Sequence, residues 1–188
     1  MEEVSLDELK KEAELIHYFG LGFIQVKLTD YTRMHFYTAA LPPIIPEEDI
    51  HDHRYDFASR ILHGTLRQEI FALAEGDSHI LEEETCLPAG RVVSEGAPPM
   101  RKGVLCGIKK IHEQEFKKGS SYIIDHDTFH RISASDAITF IKRSDYKKEL
   151  ARVAHERGEQ KVCPFSKKIP EKELWEIVET MLARVKLS

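Results

Sequence analysis

Leu6, Leu9, Ala13 and Ile16 recur at the spacing of one helical face near the start of the chain. Ser5 followed three places later by Glu8 is a capping-box pattern, so a helix is expected to begin there. Gly20 and Gly22 are expected to end it. From Phe23 the periodicity changes. Short runs rich in Val, Ile, Tyr and Phe, separated by turn residues, predict strands over 23–28, 33–38, 57–63, 65–73, 79–86, 107–114, 122–125, 129–133 and 137–142. Gly64 between two of these runs, with Glu75-Gly76-Asp77 after the second, predicts a hairpin. Short strands at this spacing point to a sandwich or barrel rather than a parallel sheet.

The last third changes character again. Tyr146, Leu150, Val153 and Ala154 predict a helix over 144–155, broken by Gly158. Pro170 suits the first turn of a final helix. There Leu174, Ile177, Val178, Met181, Leu182 and Val185 make an apolar stripe. The stripe is expected to pack on the outside of the β-structure, with a homodimer contact as the alternative. The expected organisation is an N-terminal helix over 1–20, a β-barrel over 21–143 and a C-terminal helical extension over 144–188.

Composition narrows the function classes. Of 188 residues, 41% are hydrophobic, enough for a core, and 31% are charged. The net charge of −5 argues against a nucleic-acid binder, which normally needs a basic face. Mean hydropathy is −0.38 and no apolar run approaches the ~18 residues of a membrane span. The acidic start lacks the apolar stretch of a signal peptide. Three cysteines, Cys86, Cys106 and Cys163, lie far apart without a CxxC pair. A reducing, cytoplasmic setting is therefore expected. The distinctive count is ten histidines, the commonest transition-metal ligand.

The histidines are most informative in Ile50-His51-Asp52-His53-Arg54-Tyr55-Asp56-Phe57. Residues i and i+2 of a strand face the same side, so His51 and His53 would aim two imidazoles at one point. His130, in Thr128-Phe129-His130-Arg131, supplies a third. Three neutral imidazoles hold a divalent transition metal and leave positions open for water and substrate. The isolated His17, His35 and His155 read instead as surface or satisfied core residues.

These segments resemble the two motifs of the cupin superfamily. The first, G-x5-H-x-H-x3,4-E-x6-G, is matched by His51, His53 and Gly64, with Phe57 in the glutamate's place. The second, G-x5-P-x-G-x2-H-x3-N, is matched by Gly119 and His130, with Asp125, Asp127 and Ala134 at its other positions. The likeness spans roughly residues 20–145. It implies a mainly β double-stranded β-helix, the jelly-roll barrel, and the missing glutamate implies a three-histidine site. Within the superfamily the chain is most similar to thiol dioxygenases of the cysteine dioxygenase type, through 50–53 and 60–69. Tyr31-Thr32-Arg33 resembles the Tyr-Thr-Arg whose arginine binds the substrate carboxylate there. The chain departs from that type where Ala58 replaces a crosslinking cysteine. It departs again where Phe140-Ile141-Lys142-Arg143 stands in place of the catalytic tyrosine.

The resemblance implies Fe(II) held by His51, His53 and His130, oxidising a small anionic molecule, with thiols among the candidates. Manganese, nickel or zinc in an isomerase or lyase, and a non-catalytic binding cupin, remain as alternatives, because imidazole alone does not select the metal. Arg33, Arg54, Arg60 and Arg131 could fix an anion bidentately. Arg33 is the first choice, and Arg60 is expected on the face away from His53. Tyr122 or Tyr55 could supply a phenol, with core packing as the ordinary role of both. Asp52 and Asp56 could orient the ligands, Asp52 otherwise being an exterior or turn residue. His126 reads as a turn residue or a fourth ligand. Cys86 and Cys106 read as small core residues.

Overall fold

In the computed structural model, which describes residues 5–41, 43–44, 50–83, 103–158 and 167–187, the chain is mainly β. The first helix, α1 (Leu6–Glu12), begins as the capping pattern requires. The Glu8 N–H donates to the Ser5 hydroxyl, and the Ser5 N–H donates to the Glu8 carboxylate. It ends at Glu12, earlier than Gly20. Ile16 belongs to a strand, β1 (Leu15–Phe19), because Ile16 and Tyr18 are buried at period two and pair with β2 (Phe23–Lys27). Gly20 and Gly22 turn the chain between the two strands, with Gly22 at a φ of 91°.

The strands form two antiparallel sheets that share one element. The first sheet runs β1, β2, β3 (Thr32–Thr38), β9 (Asp136–Arg143), the first part of β5 (Phe57–Glu83), then β7 (Ser121–Ile124). In the second, the later part of β5 pairs with β6 (Val104–Lys117), β8 (Phe129–Ser133) and β10 (Arg152–Glu156). The two-residue β4 (Ile50–His51) lies between β8 and β10.

Two expectations are corrected by this topology. No hairpin forms at Gly64 or at Glu75-Gly76-Asp77: β5 continues through both. Its backbone pairs with β7 and β9 before Gly64 and with β6 afterwards, so nothing releases the chain to reverse. Gly64 has a φ of 71° and lies beside a register irregularity with β9. The helix expected over 144–155 is absent. Val153 and Ala154 are buried in β10, pairing with β4 on one side and β5 on the other. The C-terminal region is thus part sheet, part helix. Cys106 is a buried free thiol, whereas Cys86 and Cys163 lie outside the described residues.

The final helix, α2 (Glu171–Leu187), follows Pro170 as expected. Its Leu174, Val178, Met181 and Leu182 are buried with Leu9 of α1 against Ile16, Ile24, Val26, Met34, Phe36 and Ile138. The apolar stripe therefore packs on one face of the first sheet within the same chain. No helix among the described residues is long and apolar enough to cross a membrane.

Candidate metal centre

Register builds the site. His51 on β4 lies directly opposite His130 on β8, and directly opposed residues of an antiparallel pair share a face. His53 lies beyond the end of β4, so a regular strand is not what aligns it. Its N–H donates to the His126 carbonyl (3.2 Å), and the Asp52 N–H donates to the Arg152 carbonyl (3.0 Å). These bonds pin the segment so that all three rings converge. Ring centroids lie 5.0 Å (His51–His53), 4.9 Å (His51–His130) and 4.9 Å (His53–His130) apart. One nitrogen from each lies within 4.8 Å of the other two.

Charge state makes the convergence chemical. Burial, then the neighbouring histidines, holds the His53 imidazole well below its ordinary range, with Arg33 adding to the effect. Burial and His51 do the same to His130. Each of these two rings is therefore neutral near pH 7, with one N–H and one lone pair. The two Nε2 atoms are 2.7 Å apart, a separation that needs either a shared proton or a shared cation. Metal–imidazole bonds of ~2.0–2.1 Å would put the bound nitrogens roughly 3 Å apart. The three histidines thus fit a divalent transition metal, and a three-imidazole set leaves coordination positions open. Behind His130, the Gln68 amide lies 3.4 Å from Nδ1. A half-turn of that amide would let its oxygen accept from Nδ1–H, leaving Nε2 for a metal.

Asp52 does face away from the three rings, but it is neither exterior nor a simple turn residue. It is 1% exposed, and its carboxylate accepts from Lys148 Nζ, Arg152 Nε and the Arg152 backbone N–H, each at 2.6 Å. A cation pair contributed by the segment that ends in β10 thereby locks the turn between two of the histidines. Asp56 orients a different ring, His126, accepting from its N–H (2.8 Å) and its Nδ1 (2.7 Å). His126 is a turn residue outside the cluster of three.

The inner face of the first sheet carries polar groups towards this centre. His17, Gln25, His35 and Thr139 stand in register across β1, β2, β3 and β9. The Gln25 carbonyl can only accept, so His35 carries its proton on Nε2 and donates it there (3.1 Å). Burial and the Arg33 charge lower His17 to about 4 and push His35 well below the imidazole range. His17 and His35 are thus partnered interior residues beside the site. His155 is buried with Nε2 3.3 Å from Glu82.

Arg33, on the same face of β3 as His35, has a buried Nε without a hydrogen-bond acceptor and sits 5.3 Å from the Tyr55 ring. Tyr55 in turn stacks 5.8 Å from His53. The other three arginines singled out in the sequence are engaged or turned away. Arg54 lies over Tyr146 (4.4 Å), Arg131 pairs with Glu69 (2.7 Å), and Arg60 is exposed, as its alternation required. Tyr122 packs on Phe116 and Phe57, and Phe57 is what touches His53 (4.8 Å). Burial pushes the Tyr122 phenol up to about 12, so it stays protonated.

Sequence reasoning missed the Gln68 contact and the buried pairing of Asp52. Gln68 has a signal, since it occupies an inward position between Leu66 and Ile70 of β5. Compared with known protein families and with curated proteins, the chain matches none.

Proposed function

We propose that this chain is a cupin whose two sheets form the jelly-roll barrel, with one divalent metal on His51, His53 and His130. The reading is an iron(II)-dependent dioxygenase of the cysteine dioxygenase type, acting on a small anionic substrate such as a thiol. The observation that carries it is the meeting of three imidazoles, two of them with Nε2 atoms 2.7 Å apart. Ferrous iron in such a set would supply open positions for dioxygen and substrate without an organic cofactor.

The chain's own residues support the rest. Arg33, half-buried with its Nε enclosed and without an acceptor, could hold an anionic group bidentately near His53. Phe57 and Tyr55 cover His53 with apolar ring surface and limit water around it. Tyr122, held protonated, could donate a proton or hydrogen bond but could not act as a base at neutral pH.

The test is metal analysis of purified protein together with oxygen uptake on a panel of small anionic thiols. Expected are near-stoichiometric iron, uptake with at least one thiol, and loss of both in His130→Ala. Stoichiometric manganese, nickel or zinc without oxygen uptake would replace the dioxygenase with an isomerase or lyase. Wild-type protein that takes up none of these metals would overturn the metal centre.

A further inference from the structure

We propose that Arg143 is a second cationic binding residue of this site. With Arg33, it selects a small substrate bearing two negatively charged groups, such as two carboxylates or a carboxylate with a sulfonate. The inference deepens the metal-site reading and relies on it for where the substrate lies.

Both arginines project from the same face of the first sheet. Arg33 lies directly opposite Ile141 on β9, and Arg143 is two places further along that strand. Arg143 is also directly opposite Phe57 of β5, whose ring touches His53. The two guanidiniums share one neighbour, standing 5.3 Å and 5.2 Å from the ring of Tyr55. Tyr55 connects them to the histidine cluster.

Neither cation is neutralised. Among the described residues, no carboxylate forms an ion pair with Arg33 or Arg143, and the Nε of each is buried without an acceptor. Arg143 is only 7% exposed. Among the described residues its guanidinium makes one hydrogen bond, to a neutral group, from Nη1 to the Ser144 carbonyl (2.8 Å). Its other contacts are the faces of Tyr31, Tyr55 and Tyr146. Asp30 feels the Arg143 charge but is bonded to Lys27 at 2.7 Å.

Other arginines of the second sheet are neutralised. Arg67, Arg131 and Arg152 each meet a carboxylate. Cation–π contacts recover less than the cost of burying an unpaired charge. Two such cations beside a metal-binding cluster therefore leave a strongly positive interior without its own counter-charge. One anionic group would satisfy one guanidinium and strand the other. A substrate with two matches both.

The test is calorimetric binding of malonate, succinate and glutarate, with butyrate as the single-charge control, to the full chain and its variants. In wild type the best dicarboxylate is expected to bind at least about tenfold more tightly than butyrate. Arg143→Gln should remove that preference, weakening the best dicarboxylate at least about tenfold and butyrate by much less. Arg33→Gln should weaken both. Arg143→Lys keeps the charge but loses the planar fork, so it should retain part of the preference. It also serves as the test if Arg143→Gln fails to fold. Equal binding of butyrate and every dicarboxylate by wild type would overturn the proposal. So would a folded Arg143→Gln protein with the wild-type preference, since Arg143 would then only tie Ser144 to Tyr146. Metal content of the same samples separates the two readings. A dicarboxylate preference without metal sinks the metal centre alone, and metal without the preference sinks this inference alone.

Discussion

Asp52 illustrates how one residue between two histidines of the cluster can govern both. Its side chain is fully buried and carries three hydrogen bonds of 2.6 Å, two of them from cations. Removing one partner of a buried pair usually costs ~3–5 kcal/mol, because the other charge is stranded. Here Lys148 and Arg152 are 21% and 34% exposed, so water can take over part of the loss. Asp52→Ala is therefore expected to destabilise the fold by about 2–3 kcal/mol, measured by urea unfolding. Because the same carboxylate positions the chain from His51 to His53, metal affinity should fall ~10–100-fold, as for other groups that orient ligands. A variant with wild-type metal affinity would show that the backbone bonds from Asp52 and His53 suffice. The Asp52 pairing could not be seen in advance. Alternation shows that residue 52 points away from residues 51 and 53, but Lys148 and Arg152 arrive from about a hundred positions later.

At the scale of elements, the long strand β5 links the site to both sheets. Its early part pairs with β9 and β7, and its middle pairs with β8, which carries His130. Gly64 makes the link possible. Its φ is 71°, and a Cβ there would collide with the Asp136 carbonyl oxygen. Gly64→Ala is expected to cost about 2 kcal/mol or more, from left-handed strain plus displacement of β9. Thermal unfolding measures this, and a melting temperature equal to wild type would show that β5 bends elsewhere. The glycine was legible in the sequence, but its meaning was not: a left-handed residue suits a hairpin turn and a bulge equally. The same ambiguity misassigned 144–155, where Val153 and Ala154 fit a helical face until β4 and β5 claim them as a strand. The histidine cluster was legible because HxH fixes a local geometry. Even there the expected mechanism differs, since His53 is held by the His126 carbonyl rather than by a strand.

Across the whole molecule, one face of the first sheet is apolar against α1 and α2, and the other is lined by His17, Gln25, His35 and Arg33. In β3, Met34 and Phe36 alternate with Arg33 and His35, so the polar face was legible in the sequence; that it turns towards the three histidines was not, because β4 and β8 belong to the other sheet. The arrangement has a consequence for stability against pH. His17, His35, His53 and His130 are all shifted below the ordinary imidazole range, chiefly by burial. An unfolded histidine takes up its proton near pH 6.5. Above that value both states are neutral and these groups add no pH dependence. As pH falls below about 6.5, the unfolded chain binds protons that the folded chain refuses, so stability declines. For His17 the decline ends near pH 4, where the folded form also takes up its proton. The melting temperature of metal-stripped protein is therefore expected to hold steady between about pH 7 and 9 and to drop steeply from about 6.5 towards 4. His17→Gln should make that drop shallower. A divalent metal on the three histidines should shift its onset to lower pH, because the ion competes with protons for the same lone pairs. An unchanged melting temperature from pH 7 to 5 would mean that these imidazoles reach water in the folded protein. The neutral nitrogens on which the proposed metal centre depends would then not be held in that state by burial.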